Sequence, residues 1–294
     1  MAPRRIQTVA DIRSAVSEAK SQGQSVGFVP TMGFLHEGHG SLIRQAKEEN
    51  DVVVMSIFVN PLQFTDQADL ATYPRDTDRD DAIANDNGAD LIFSPEVVDM
   101  YPTGEPATEV SVSGVTEVWE GRFRPGHFDG VTFVVAKLFN IVLPDRAYFG
   151  EKDFQQLATV RQMVVDLSIP CDIVGCPIIR DPDGLALSSR NSRLSTEERQ
   201  KALVLSAALK AGRQAFLDGS QAPEQAEHAM RHVLATEPGI DVDYAVAVDC
   251  ETLEPATDSS VPFQLLVAAR IGDVRLIDNI RVGGPPTSEL LASA

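Results

Sequence analysis

Two domains are predicted for this chain: a doubly wound α/β domain over residues 1–180 and a smaller α+β domain over 181–294. Three observations carry that expectation. First, the apolar runs at 26–29, 52–59, 91–93, 147–149 and 173–179 lack the alternation of a half-buried strand. They are interleaved with helical patterns at 41–49, 76–87, 130–143 and 153–167, which describes parallel strands covered on both faces. Second, the texture changes after the turn signal Asp181-Pro-Asp-Gly184, where helical stretches at 196–218 and 222–236 precede β-rich runs at 242–248, 263–271 and 274–280. Helices followed by a strand cluster suit a separate small α+β unit. Third, 294 residues are long for one compact core. The Gly- and Pro-rich tail from Gly283 onward is expected to fray.

The first strand runs into Pro30-Thr-Met-Gly-Phe-Leu-His36-Glu-Gly-His39, and a helical pattern starts at Ser41. A helix N-terminus offers unpaired N–H groups and the positive end of the dipole, so it binds phosphate. His36 and His39, three residues apart on the first turn, can both face that anion. The alternatives are a pair of surface histidines or a zinc site; the latter needs two further ligands, and His127 is the only other histidine of the first domain.

Composition narrows the partners. Forty-three acidic against 25 basic residues give a formal charge of −18, which argues against nucleic acid. An anionic substrate therefore needs a local cluster of cations. No run of about 18 apolar residues suggests a membrane span, and the start Met-Ala-Pro-Arg-Arg-Ile lacks the apolar core of a secretory signal, so a cytoplasmic location is expected. Cys171, Cys176 and Cys250 are too few for a disulfide framework and read as reduced, inert thiols.

Further segments gather at strand ends. Phe149-Gly-Glu-Lys152-Asp153-Phe-Gln-Gln156 leaves another strand and opens another helix, at the edge where open α/β sheets bind ligands. If that helix begins by Lys152, then Lys152 and Gln156 share a face. A lysine at a helix start opposes the dipole, which favours pairing with an anion; Asp153 either caps the helix or accepts from ribose hydroxyls. Leu187-Ser188-Ser189-Arg190-Asn191 offers two hydroxyls and a fixed cation, a set suited to a triphosphate. Gln63, in Asn60-Pro-Leu-Gln63-Phe64, supplies a neutral amide suited to a small hydroxy acid. The run Arg75-Asp-Thr-Asp78-Arg79-Asp80-Asp81 reads either as magnesium ligands or as a solvated helix start, and Arg122-Phe-Arg124-Pro-Gly-His127 as a basic patch.

Together these segments resemble the pantoate–β-alanine ligase family of the nucleotidyltransferase superfamily, which shares a His-x-Gly-His element with class I aminoacyl-tRNA synthetases. The resemblance covers residues 25–195 through Pro30-Thr-Met-Gly-x-Leu-His-x-Gly-His39, Phe58-Val-Asn-Pro-x-Gln63-Phe, Tyr73-Pro-Arg75, Arg124-Pro-Gly-His-Phe128, Phe149-Gly-Glu-Lys-Asp153 with Gln156, and Leu187-Ser-Ser-Arg-Asn191. It implies a Rossmann-like first domain, a C-terminal lid domain and a homodimer. It also implies ATP-dependent condensation of pantoate with β-alanine through pantoyl adenylate, with magnesium. On this resemblance His36, His39 and Lys152 are catalytic. ATP is held by Met32, Gly33, His36, Gly38, His39, Gly150, Glu151, Lys152, Asp153, Ile179, Leu187, Ser188, Ser189 and Arg190; pantoate by Met32, Gln63 and Gln156; and β-alanine by Gln63.

Overall fold

The computed structural model describes residues 2–65, 67–220 and 222–283, so all of the expected frayed tail except Gly283 lies outside the described residues. The chain forms two units: Met1–Glu151 with Gln156–Cys176, and Lys152–Gln155 with Pro177–Ala294.

The first unit runs β1 (Arg4–Ile6), α1 (Val9–Ser21), β2 (Val26–Thr31), α2 (Glu37–Glu49), β3 (Val52–Ile57), α3 (Gln67–Ala71), α4 (Thr77–Asn87), β4 (Leu91–Phe93), α5 (Val97–Met100), α6 (Glu120–Phe123), α7 (His127–Val142), β5 (Arg146–Gly150), α8 (Phe154–Asp166) and β6 (Asp172–Cys176). Its strands form one parallel sheet in the order β1-β4-β3-β2-β5-β6. The doubly wound parallel sheet is as the sequence predicts. One face buries Val29, Met55 and Ile92 under Leu42, Ile43, Ala46 and Ala84 of α2 and α4. On α7, the Phe139 ring meets Phe28 and Phe149 edge-on, at centroid distances of 6.3 and 6.4 Å.

Strand order reverses at β2, and there the sheet opens. β2 pairs with β3 along six residues but with β5 only at Gly27 and Phe28, whereas β5 stays on β6 as far as Gly150. The carboxyl halves of β2 and β5 therefore part at the switch point, where ligands of open α/β sheets bind. The same gap explains why β2 continues through Pro30. On the β5 side the ladder has already ended, so the missing N–H of proline costs little there.

The second unit contains α9 (Thr196–Ala215), α10 (Pro223–Leu234), β7 (Ile240–Asp249), β8 (Phe263–Ile271) and β9 (Val274–Val282). The strands form an antiparallel meander, β7-β8-β9. Leu205 and Leu209 of α9 and Ala226 and Met230 of α10 pack with Leu265, Val267 and Leu276 of the sheet. A Ser195/Glu198 capping box starts α9.

Burial decides thiol chemistry. Cys171 and Cys176 lie in the first unit's core, and burial, reinforced by nearby carboxylates, pushes both thiols up to about 12. At pH 8 a thiol-specific reagent is expected to label only the half-buried Cys250 rapidly, and all three cysteines after denaturation. Fast native labelling of Cys171 or Cys176, read by peptide mapping, would contradict the packing.

Candidate active site

At the end of β2 the backbone turns through two consecutive left-handed residues, Gly33 (φ 83°) and Phe34 (φ 50°). This is a conformation that an L side chain resists, and Asp80 of α4 holds it in place. Asp80 is 2% exposed, and its carboxylate accepts from the N–H of Phe34 at 3.1 Å and of Leu35 at 2.6 Å. A β-carbon on Gly33 would come within 2.9 Å of that carboxylate. The Arg79 guanidinium lies 4.8 Å from the centre of the Phe34 ring. Burial raises the Asp80 carboxyl above its ordinary value, opposed by the two N–H donors.

His36 does not sit on the first helical turn, as the sequence predicts, but is the N-cap of α2, in extended backbone. Its Nδ1 accepts from Gly38 N–H at 3.2 Å, while His39 Nδ1 accepts from His36 N–H at 3.3 Å. The two imidazoles thus form a reciprocal capping box, with ring centroids 4.1 Å apart. They take two of the backbone donors expected to meet phosphate. In exchange, an Nδ1 that accepts puts the ring proton on Nε2, so each ring that takes a backbone donor carries an imidazole donor of its own.

Gln63 ends a single 3-10 turn, Pro61–Gln63, capped by Asn60. It is only 7% exposed, and its Nε2 lies 2.8 Å from Met32 Sδ in the turn after β2. Asn60 Nδ2 donates to Gln63 Oε1 at 3.2 Å and to Gly130 O at 3.0 Å, and Tyr101 OH donates to Asn60 Oδ1 at 2.7 Å. Burial raises the Tyr101 phenol, which stays a donor. Gly130 permits the close packing of this turn on α7, since a β-carbon there would lie 2.4 Å from Leu62 O. The basic segment reaches the same turn: Arg124 Nη1 is 3.0 Å from His127 Nε2, and His127 Nδ1 is 2.8 Å from Gln63 O.

In the second unit, Lys152 lies in a 3-10 turn, Glu151–Asp153, ahead of α8. The condition for an i, i+4 face shared by Lys152 and Gln156, a helix that begins by Lys152, is not met: α-helical geometry begins only at Phe154. Asn279 of β9 donates from Nδ2 to Lys152 O at 2.9 Å and accepts from Gln264 Nε2 at 2.6 Å. The Lys152 side chain is 18% exposed, with Nζ 4.0 Å from Asp153 Oδ1. Lys152, Ala186, Ser188, Asn191 and Asp278 line one small recess. Asp181-Pro-Asp-Gly184 closes a hairpin in which Leu187 N–H donates to Ile179 O at 2.9 Å, so the two residues implied for adenine lie side by side. Arg180 forks onto Asp278 at 2.6 and 2.8 Å, and Ser188 caps the 3-10 turn carrying Ser189 and Arg190. The sequence reading missed Asp278 and Asn279, and it took Asp80 for a magnesium ligand or part of a solvated helix start rather than the clamp of the turn after β2.

The acidic run is likewise structural in geometry. Asp76 caps α4, Asp81 pairs with Arg5, and Asp80 holds the turn. Among the described residues no three His, Cys, Asp or Glu side chains converge on a metal-sized site, zinc included. Nor is any described helix long and apolar enough to cross a membrane.

A parallel sheet parted at its switch point, with a doubly capped His-x-Gly-His turn on one lip, is the architecture of nucleotide-binding α/β proteins of the nucleotidyltransferase type. Comparison with known proteins gives the family. The pantoate-beta-alanine ligase family model matches residues 4–281. Pantothenate synthetase from Geobacter sulfurreducens is 49% identical over 95% of this chain and 98% of its own. The one from Deinococcus radiodurans is 53% identical over 89% and 95%. The solved pantothenate synthetase from Thermus thermophilus superposes with a TM-score of 0.89 at 49% identity, covering 94% of this chain and 98% of that one. The Francisella tularensis pantoate-beta-alanine ligase, solved with beta-gamma ATP and β-alanine, gives 0.79 at 36% identity, covering 95% and 97%. The chain belongs to the pantoate–β-alanine ligase family, enzymes that use ATP to join pantoate and β-alanine into pantothenate.

Proposed function

We propose that His36 and His39 meet the phosphate at which pantoate attacks, and that the observation carrying this role is their reciprocal capping box at the start of α2, which engages both Nδ1 atoms and leaves the ring proton of each on Nε2. A carboxylate is a poor electrophile. Attack of a pantoate carboxylate oxygen on the α-phosphorus of ATP breaks the bond to pyrophosphate and leaves a mixed anhydride, pantoyl adenylate. The β-alanine amine then attacks the acyl carbon, loses a proton, and expels AMP. Imidazole donors and the Lys152 ammonium stabilise charge that grows as pyrophosphate departs.

The remaining roles follow chemistry. Ser188, Ser189 and Arg190 serve the triphosphate, Gly150 and Asp153 the ribose, and the backbone at Ile179 and Leu187 the adenine. Met32, Gly33, Gly38 and Glu151 complete the nucleotide contacts. Met32, Gln63 and Gln156 hold pantoate, and Gln63 also meets β-alanine, the amino acid present with the Francisella relative. A neutral buried amide discriminates by hydrogen bonding and adds no charge beside a carboxylate substrate. Magnesium belongs to this reading as the counter-ion of ATP, held mainly by substrate phosphates, as Mg²⁺ commonly is. When bound it neutralises phosphate charge. The same reading takes the enzyme as a cytoplasmic homodimer.

The expected result in solution is exchange of labelled pyrophosphate into ATP that requires pantoate and proceeds without β-alanine. Exchange that needs β-alanine would rule out a free-standing adenylation half-reaction.

A further inference from the structure

The Arg124-Pro-Gly-His127 segment has no place in the roles assigned so far, yet Arg124 meets His127 and His127 meets Gln63. Arg124 carries donors only, so His127 Nε2, facing its Nη1 at 3.0 Å, accepts. The imidazole proton then sits on Nδ1, where it donates to Gln63 O at 2.8 Å. Every role in this chain is forced by its neighbour. His127 is 7% exposed and opens α7, one turn before the Gly130 carbonyl that accepts from Asn60. The backbone of Gln63 is thereby fixed from α7 by His127, while its side-chain oxygen accepts from Asn60.

We infer that His127, oriented by Arg124, is a positioning residue for acid-substrate recognition, holding the Gln63 backbone so that its amide meets pantoate. This rests on the proposed role of Gln63. Loss of the link loosens a neutral contact that distinguishes pantoate, so its effect falls on the pantoate KM and spares that of ATP.

The two nitrogens can be tested separately. In His127→Asn the amide nitrogen stands near Nδ1 and keeps the donor to Gln63 O. In His127→Gln the amide oxygen stands near Nε2, keeps the acceptor for Arg124 and loses that donor. His127→Gln is expected to raise the pantoate KM about tenfold, with the ATP KM within about threefold, the scale of one lost hydrogen bond. His127→Asn should stay within about threefold for both substrates. The half-buried Arg124 gives a second route. Arg124→Met lets the ring proton move to Nε2, leaving Nδ1 without a donor for Gln63 O, so it should raise the pantoate KM in the parent and add nothing on the His127→Asn background, whose amide donor has no tautomer to lose. Similar pantoate KM values for His127→Gln and His127→Asn, or parallel rises for both substrates, would overturn the inference. Gln63→Ala separates the premise: if it leaves the pantoate KM unchanged, the role of Gln63 fails and the inference with it. If it raises that KM while His127→Gln does not, only the role of His127 fails.

Discussion

Lys152→Ala is expected to slow pantoate-dependent pyrophosphate exchange by about 10²–10³ while leaving the melting temperature within about 2 °C of the parent. The size follows from what the ammonium meets. In a chain of formal charge −18, charge growing on the departing pyrophosphate depends on a few local cations, and a preorganised donor of that kind is worth more in the transition state than in the ground state. The spared stability follows from how the residue is held. Asn279 anchors the Lys152 carbonyl, a backbone atom that alanine keeps, and the ammonium makes only a long approach of 4.0 Å to Asp153. Lys152→Arg keeps the charge but changes its shape and reach, so its rate should fall between the two. Single-turnover adenylate formation separates this step from product release. A rate for Lys152→Ala within about threefold of the parent would remove Lys152 from the phosphate chemistry.

Much of the parallel sheet is legible because burial on both faces writes itself as apolar runs without alternation, such as Val52 to Met55, and strand ends in such sheets carry ligands whatever the side chains. The helix α1 is missed, although its buried residues Ile12, Val16 and Ala19 keep helical spacing after the Thr8 cap; so few apolar positions in a polar segment give a weak pattern. His36 illustrates a subtler miss. Its placement beside a helix start is readable, but its service as a cap is not, because histidine is not among the usual N-cap residues. The partners of the site are least readable of all. Asn279 holds Lys152 across 127 positions, and Asp80 holds Leu35 across 45; to a one-dimensional pattern the first looks like an interruption of a strand and the second like one charge in a solvated run.

Asp80→Ala is the second large effect expected, and it tests whether the turn before His36 is held from α4. Alanine leaves the N–H groups of Phe34 and Leu35 without their carboxylate, and Leu35 is fully buried. An orphaned buried donor costs about 1–3 kcal/mol, partly offset because a desolvated carboxylate is also removed. The left-handed pair Gly33 and Phe34 then loses its clamp, and the imidazole cap that follows loses its aim. Adenylation is expected to fall by about 10², since displacement of a catalytic donor by about 1 Å has that order of effect. The pH dependence has a defined sign. Burial raises the folded carboxyl of Asp80, so the folded state keeps its proton to higher pH than the unfolded state does. The stability this group adds is therefore fully present below the ordinary value of 3.8 and is lost as pH rises through the raised value. Relative to the parent, Asp80→Ala should lose more stability in urea below pH 3.8 than at pH 7, with the change confined to the window just above 3.8. A difference that grows with pH would mean that the two N–H donors outweigh burial and that the carboxylate is held ionised in the fold.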